Sequence, residues 1–159
     1  MVGNMRLTAI VSIIAVLTFG GCRWVPSGSS MDRAEAQEVS DSFMSNLVAD
    51  RVDVALDKME PDFVQATRGA KAEATLRDLF DYCGRPLESE IRHDEIGFFA
   101  YADGRKKPMR AFYYSGKTTQ HEKGVCFFAV RVVPSENGMK VVNFGPLKLI
   151  KGELPEWAR

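Results

Sequence analysis

Residues 96–114 read IGFFAYADGRKKPMRAFYY, two aromatic and apolar runs on either side of Asp103-Gly104. Strands favour residues of this kind, and Asp-Gly is a strong signal for a tight turn between antiparallel strands. The runs Ile96 to Ala102 and Met109 to Tyr114 are therefore predicted to form a β-hairpin, with the basic residues Arg105 to Lys107 and Pro108 between them.

Two further strand patterns follow the hairpin. They cover Val125 to Val133 and Met139 to Ile150, and they are joined across Pro134 to Gly138 with Asn137-Gly138 at the tip. Gly145-Pro146 is predicted to mark a bulge or kink, because proline cannot donate a hydrogen bond to the ladder. The four strands, taken in chain order, are predicted to form an antiparallel meander.

Helical patterns precede the strands. Ser29 and Asp32 have the spacing of a capping box, and an apolar stripe follows at Ala36, Val39, Phe43 and Leu47. Asp50 is predicted to cap a short second helix that Glu60-Pro61 stops. A third helix is predicted from Ala70 to Cys83, with Gly84 as its C-terminal stop. Helices followed by an antiparallel sheet indicate an α+β fold.

This order, together with the segment LFDYCGRP at 79–86 that leads to the first strand, resembles the nuclear transport factor 2-like superfamily. The resemblance covers about Met31 to Ile150, and within the superfamily it is to small exported lipoproteins. It implies helices packed on a curved, cone-shaped antiparallel sheet of the cystatin-like kind. Enzymes of the superfamily use a carboxylate or an Asp/His pair, with a tyrosine as hydrogen-bond donor, in the mouth of the cone.

The N-terminus carries an apolar run from Leu7 to Cys22, preceded by Arg6. Its apolar part, Leu7 to Phe19, is about 13 residues long, which suits a secretory signal and is shorter than the roughly 20 residues of a membrane-spanning helix. The sequence FGGC at 19–22 resembles the lipobox of bacterial lipoproteins, with Phe19 where that pattern prefers Leu. The alternative is an ordinary secretory signal with a coincidental cysteine.

These features predict a signal peptide at 1–21, a lipidated Cys22 followed by a flexible linker at 22–30, and a single α+β domain at 31–159. Two or more fatty acyl chains on one cysteine hold a protein durably at a membrane. Arg23 is not the aspartate that retains such proteins in the inner membrane of enteric bacteria. The resemblance therefore implies the outer membrane, facing the periplasm.

Cys83 and Cys126 remain after Cys22 is assigned to lipid. In an oxidising periplasm they are either a disulfide or a pair of buried, reduced thiols, and the sequence leaves both alternatives open. The 21 basic and 21 acidic residues balance, which argues against a nucleic-acid partner. The sequence has no CxxC motif and no histidines at the spacing of metal ligands, so no metal site is predicted. No cofactor is predicted either.

Ionisable residues offer few candidates for catalysis. His93-Asp94-Glu95 places a base beside two acids, but neighbouring strand residues point to opposite faces, so only His93 and Glu95 can share one. His121-Glu122 is predicted to lie in a solvated loop. Arg110 and Arg131 are predicted to point outward as edge-protecting charges, or else to grip an anionic ligand if they face the cone.

Six aromatic residues are candidates for a ligand pocket, although ordinary core packing is the favoured explanation for them. They are Phe99, Tyr101, Phe112, Tyr113, Tyr114 and Phe128. Alternation predicts that Phe99 and Tyr101 share a face, and that Phe112 and Tyr114 lie opposite Tyr113.

The sequence favours a membrane-anchored binding or interaction module whose partner is an envelope protein or a small apolar ligand. The alternatives are a hydrolase, isomerase or dehydratase of the superfamily type and a purely structural lipoprotein.

Overall fold

The structure is a computed structural model that describes residues 31–66, 70–147 and 156–158. The predicted signal peptide, Cys22, the linker and residues 148–150 of the predicted fourth strand lie outside these residues. Four helices come first, followed by a four-stranded antiparallel sheet and a short 3-10 helix. In chain order they are α1 (Arg33–Val48), α2 (Val52–Leu56), α3 (Pro61–Ala66), α4 (Ala70–Cys83), β1 (Glu90–Ala100), β2 (Lys106–Ser115), β3 (Phe127–Ser135), β4 (Gly138–Pro146) and the 3-10 helix Glu156–Ala158.

The sheet has the strand order β1-β2-β3-β4, so the chain is an α+β protein with an open antiparallel meander, as predicted. Helices α1, α2 and α4 pack against one side, which we call the helix face. The opposite side, which we call the outer face, carries a smaller apolar cluster that Trp157 partly covers. Among the described residues, no helix has the length and apolar character needed to cross a membrane.

Helix α1 begins at Asp32, whose carboxylate accepts a hydrogen bond from the Ala34 amide at 2.8 Å. Asp32 is thus the N-cap itself, one helical turn later than the predicted capping box. Of the predicted apolar stripe of α1, Ala36, Phe43 and Leu47 are fully inaccessible, whereas Val39 is only partly buried.

The connection after α1 differs from the prediction. Asp50 does not cap α2; it adopts a positive φ of 59°, a conformation that Asp tolerates better than most residues, and Arg51 occupies the N-cap position without a side-chain bond. Pro61 does not end the helical region either. It is the first residue of α3, where its missing N–H is not needed and its fixed φ suits a helix.

Helix α4 has the predicted bounds, and Gly84 follows it with φ 77°. A Cβ at Gly84 would lie 2.9 Å from the Gln120 backbone nitrogen, so glycine is needed for contact as well as conformation. Of the two alternatives for the cysteines, the structure has the disulfide: Cys83 is bonded to Cys126, with the Cα atoms 5.9 Å apart. The bond joins the end of α4 to the start of β3.

Strand β1 begins at Glu90, six residues before the predicted start, so His93, Asp94 and Glu95 are strand residues. The β1–β2 hairpin closes at the predicted turn, where the Tyr101 amide donates to the Arg105 carbonyl at 2.8 Å. Strand β3 is shifted two residues toward the C-terminus, and β4 ends at Pro146, before the predicted end.

The predicted bulge at Gly145-Pro146 is wrong. Gly145 and Pro146 pair in regular register with Ala129 and Phe128. The proline is tolerated because β4 is at the edge of the sheet, where a backbone N–H is not needed for a second neighbouring strand. The register instead shifts at Val142 in β4 and at Arg92 in β1. At each of these positions the strand has one residue more than the strand it pairs with.

Candidate functional site

The six aromatic residues predicted as a pocket lie on two faces of the sheet. Phe112, Tyr114 and Phe128 are on the helix face, whereas Phe99, Tyr101 and Tyr113 belong to the cluster on the outer face. This division follows from the alternation of side chains along β1, β2 and β3. The six side chains therefore do not surround a common pocket.

The helix face is filled by aromatic side chains from the helices and the sheet. The Phe144 ring lies 5.3 Å from that of Phe43, 6.4 Å from that of Phe80 and 5.6 Å from that of Phe128, measured between centroids. Such close ring contacts are typical of a packed core. Among the described residues, the helix face therefore holds a cluster of phenylalanine rings packed against one another.

Tyr114 carries the buried polar contact of this core. Its hydroxyl lies 2.7 Å from Ser40 Oγ and 2.7 Å from Asp41 Oδ1, an arrangement in which Ser40 donates to the phenol and the phenol donates to the carboxylate. Burial raises the pKa of Tyr114, and the Asp41 carboxylate adds to the rise. The phenol is therefore held neutral and joins α1 to β2.

A second tyrosine, Tyr113, meets a carboxylate and a histidine on the outer face. Its hydroxyl donates to Glu95 Oε1, and its ring lies 5.8 Å from that of His93. Trp157 stacks on His93 at 5.1 Å with only 11° between the ring planes. Burial, then the bond to Glu95, raises the pKa of Tyr113 to about 12. His93 and Glu95 share this face, as alternation predicts.

Glu60 forms another polar cluster, which sequence reasoning did not single out. Only 4 % exposed, its carboxylate accepts from the Tyr101 hydroxyl and from Lys107 Nζ. Burial and then Glu60 raise the pKa of Tyr101. The contacts fasten the tip of the β1–β2 hairpin to the junction of α2 and α3. The sequence shows Glu60 only as a residue before proline, and its partners are more than forty positions away.

Asp94 points to the helix face, away from His93 and Glu95. It accepts from Arg33 Nη2 at 3.1 Å and from Arg110 Nη1, so two guanidinium groups share one carboxylate. Burial raises the pKa of Asp94, but the bonds from Arg33 and Arg110 outweigh it and the net direction is downward.

The predicted orientation of Arg110 is wrong. Its side chain is only 11 % exposed, and it lies on the helix face of a central strand, where no edge needs protection. Arg131 is also on a central strand, and its Nη1 donates to Asn143 Oδ1 at 2.6 Å on the outer face. Within the described segments, Arg110 Nε is buried and lacks a hydrogen-bond partner.

Glu122 is exposed in the predicted loop, whereas His121 is half-buried, and the loop is bonded to the end of α4. The Thr118 amide donates to the His121 carbonyl at 2.9 Å, and Thr118 Oγ1 donates to the Cys83 carbonyl. In the part of the chain that the structure describes, no three His, Cys, Asp or Glu side chains converge as a metal site.

Comparison of the chain with family models, with curated proteins and with solved structures found no match. Its chemistry is therefore argued from the geometry alone.

The free edge of the sheet, at β1, carries large apolar side chains that the other described residues leave exposed. Ile96 is 55 % exposed and Phe98 is 58 % exposed, and both project to the helix face. Strand β1 is 11 residues long, and within residues 31–66, 70–147 and 156–158 its only sheet neighbour is β2. A long edge strand with exposed apolar residues invites contact with another surface. This edge is the candidate interaction site of the described domain.

Proposed function

We propose that the chain is an exported bacterial lipoprotein, anchored through acyl chains on Cys22 to the outer membrane and facing the periplasm. The charged start, the short apolar run and the FGGC sequence support this assignment. The disulfide between Cys83 and Cys126 also fits an oxidising compartment.

In this proposal the domain at 31–159 is a binding or interaction module. The observation that carries it is the β1 edge, where Ile96 and Phe98 are more than half exposed beside a packed interior. Phenylalanine rings pack together on the helix face, where the cone of the superfamily would hold a small apolar ligand. The exposed β1 edge therefore favours recognition at the surface over binding inside a cone.

The finer fold assignment is also a proposal: we infer a nuclear transport factor 2-like domain. Its support is the order of helices and meander, with α1 packed on β2, β3 and β4. Function does not follow from a fold of this kind, so the proposed role rests on the edge and the anchor.

A superfamily-type enzyme is the second candidate, and Tyr113, Glu95 and His93 are the residues that favour it. They combine a phenol donor, a carboxylate and an imidazole on one face. A catalytic carboxylate needs an apolar pocket that raises its pKa. Glu95 is exposed on the edge strand, which makes the enzyme the weaker candidate.

Replacement of the anchor residue tests the proposal. In a bacterial host, Cys22→Ser should abolish incorporation of a labelled fatty acid. Thr18→Ser, which keeps the cysteine and both glycines, is the matched control and should incorporate the label as wild type does. Equal incorporation by wild type and Cys22→Ser would contradict the anchor.

A further inference from the structure

Ile96 and Phe98 share the helix face of the hairpin with a third exposed residue, Lys106. Ile96 pairs with Arg110, Phe98 with Pro108, and Ala100 with Lys106, so alternate residues of both strands point the same way. Helix α1 packs on β2, β3 and β4, which leaves this side of β1 exposed. We call the three side chains Ile96, Phe98 and Lys106 the β1 patch.

The charge of the patch is positive. Arg105 is ion-paired with Asp103 and Asp62, and Lys107 is ion-paired with Glu60. Lys106 makes no ion pair within the described residues, and it is exposed. The patch thus offers two apolar side chains beside one uncompensated cation, which suits an anionic surface with an apolar layer beneath it.

The chain that precedes the domain enters it close to this patch. Met31 is buried in the core, and Arg33, two residues later, bonds to Asp94 at 3.1 Å. Ile96 and Phe98 follow Asp94 in the same strand, at about 7 and 13 Å along it given the rise of about 3.3 Å per residue. Nine residues separate Cys22 from Met31, a reach of about 30 Å at most.

On the basis of the proposed lipid anchor, we propose that the β1 patch contacts the surface of the membrane that holds Cys22. Ile96 and Phe98 enter the headgroup layer, and Lys106 lies against anionic lipid phosphates. The short linker between Cys22 and Met31 keeps the patch near the bilayer, so weak apolar and ionic contacts are enough to hold the patch against the membrane surface. The helix-face edge of β1 then faces the membrane, and the outer face of the sheet remains available to periplasmic partners.

Environment-sensitive labels test this contact in the full lipidated protein. Phe98→Cys introduces a free thiol, whereas Cys83 and Cys126 are bonded to each other. The variant protein is reconstituted into vesicles of phosphatidylethanolamine and phosphatidylglycerol, and its new thiol is then labelled with NBD. The control is Tyr82→Cys, which is also exposed, at 71 %. Tyr82 lies near the C-terminal end of α4. Arg85, two residues after α4, donates to the carbonyl of Val48 at the far end of α1, about 22 Å from Arg33 at the helical rise per residue.

The label at 98 should brighten several-fold in vesicles relative to detergent, and lipids brominated near the headgroup should quench it, whereas the label at 82 changes little. Lys106→Glu should reduce the quenching at 98 in vesicles with phosphatidylglycerol. Urea midpoints equal to wild type show that the variants are folded.

Three results would overturn the contact. If the protein floats with vesicles but the labels at 98 and 82 respond alike, the patch does not touch the membrane and the anchor stands. If brightening at 98 occurs without lipid and the protein sediments as a dimer, the patch binds a second copy. If neither wild type nor variants float, the anchor and the contact both fail.

Discussion

At the scale of single residues, Asp94 forms ion pairs with two arginines on the helix face. It neutralises Arg110, which is almost buried, and Arg33, which is 56 % exposed. Removing one partner of a buried ion pair is costly because the other charge stays desolvated. Asp94 thus stabilises the fold on the helix face, and a substitution there does not test catalysis.

Asp94→Asn is expected to lower the free energy of unfolding by about 2–3 kcal/mol at neutral pH, below the roughly 3–5 kcal/mol of a fully buried pair because Arg110 retains some exposure. Arg33→Ala is the control and should cost about 0.5 kcal/mol, since its contact is exposed. Urea unfolding followed by tryptophan fluorescence measures both. Equal effects of the two substitutions would show that Arg110 is not the group that needs Asp94.

The effect of Asp94→Asn should also depend on pH. The pKa of Asp94 is lower in the folded than in the unfolded state, so its stabilisation is complete above the unfolded value of about 4 and is lost as the pH falls through the folded value. The difference between wild type and variant should therefore narrow below about pH 4. A difference that stays constant into acid would contradict the ion pair.

At the scale of elements, the disulfide holds α4 to β3 across a separation of 43 residues. In the chain-entropy model, closing a loop of this length stabilises the folded state by about 4 kcal/mol. The double variant Cys83→Ala, Cys126→Ala should lose most of this amount in urea unfolding. Dithiothreitol should destabilise the wild type similarly and leave the double variant unchanged. Unaltered wild-type stability in the reductant would argue against the bond.

The elements also show what the sequence could and could not predict. Three elements carry strong local signals. Helix α1 has an apolar stripe, α4 ends at a glycine, and the β1–β2 turn contains Asp-Gly. Helix α3 has six residues, fewer than two turns, and shows no periodic pattern. The sequence does not predict the start of β1 because Glu90–Glu95 is polar apart from Ile91. This segment is held in the sheet by its pairing with β2 and by the bonds of Asp94 to Arg33 and Arg110.

The candidate site was predicted only in part. Alternation correctly separated Tyr113 from Phe112 and Tyr114, since it depends on strand geometry alone. Glu60, the bulges at Arg92 and Val142, and the exposure of Ile96 and Phe98 depend on which elements pack over which part of the sheet. No local pattern of residues encodes that arrangement.

At the scale of the whole molecule, the two sides of the sheet differ. The helix face carries the larger core and, at β1, the exposed side chains of Ile96 and Phe98. On the outer face, His93, Tyr113 and Trp157 stack together. Arg33, which follows the proposed anchor in the chain, and the proposed membrane contact both lie on the β1 side of the helix face.

The mass of the mature N-terminal peptide tests the central claim most directly. Protein purified from the membrane fraction of a bacterial host and digested with a protease should give an N-terminal peptide that begins at Cys22 and carries the mass of its acyl chains. A peptide that begins at Met1, or one that contains Cys22 with an unmodified thiol, would contradict the account.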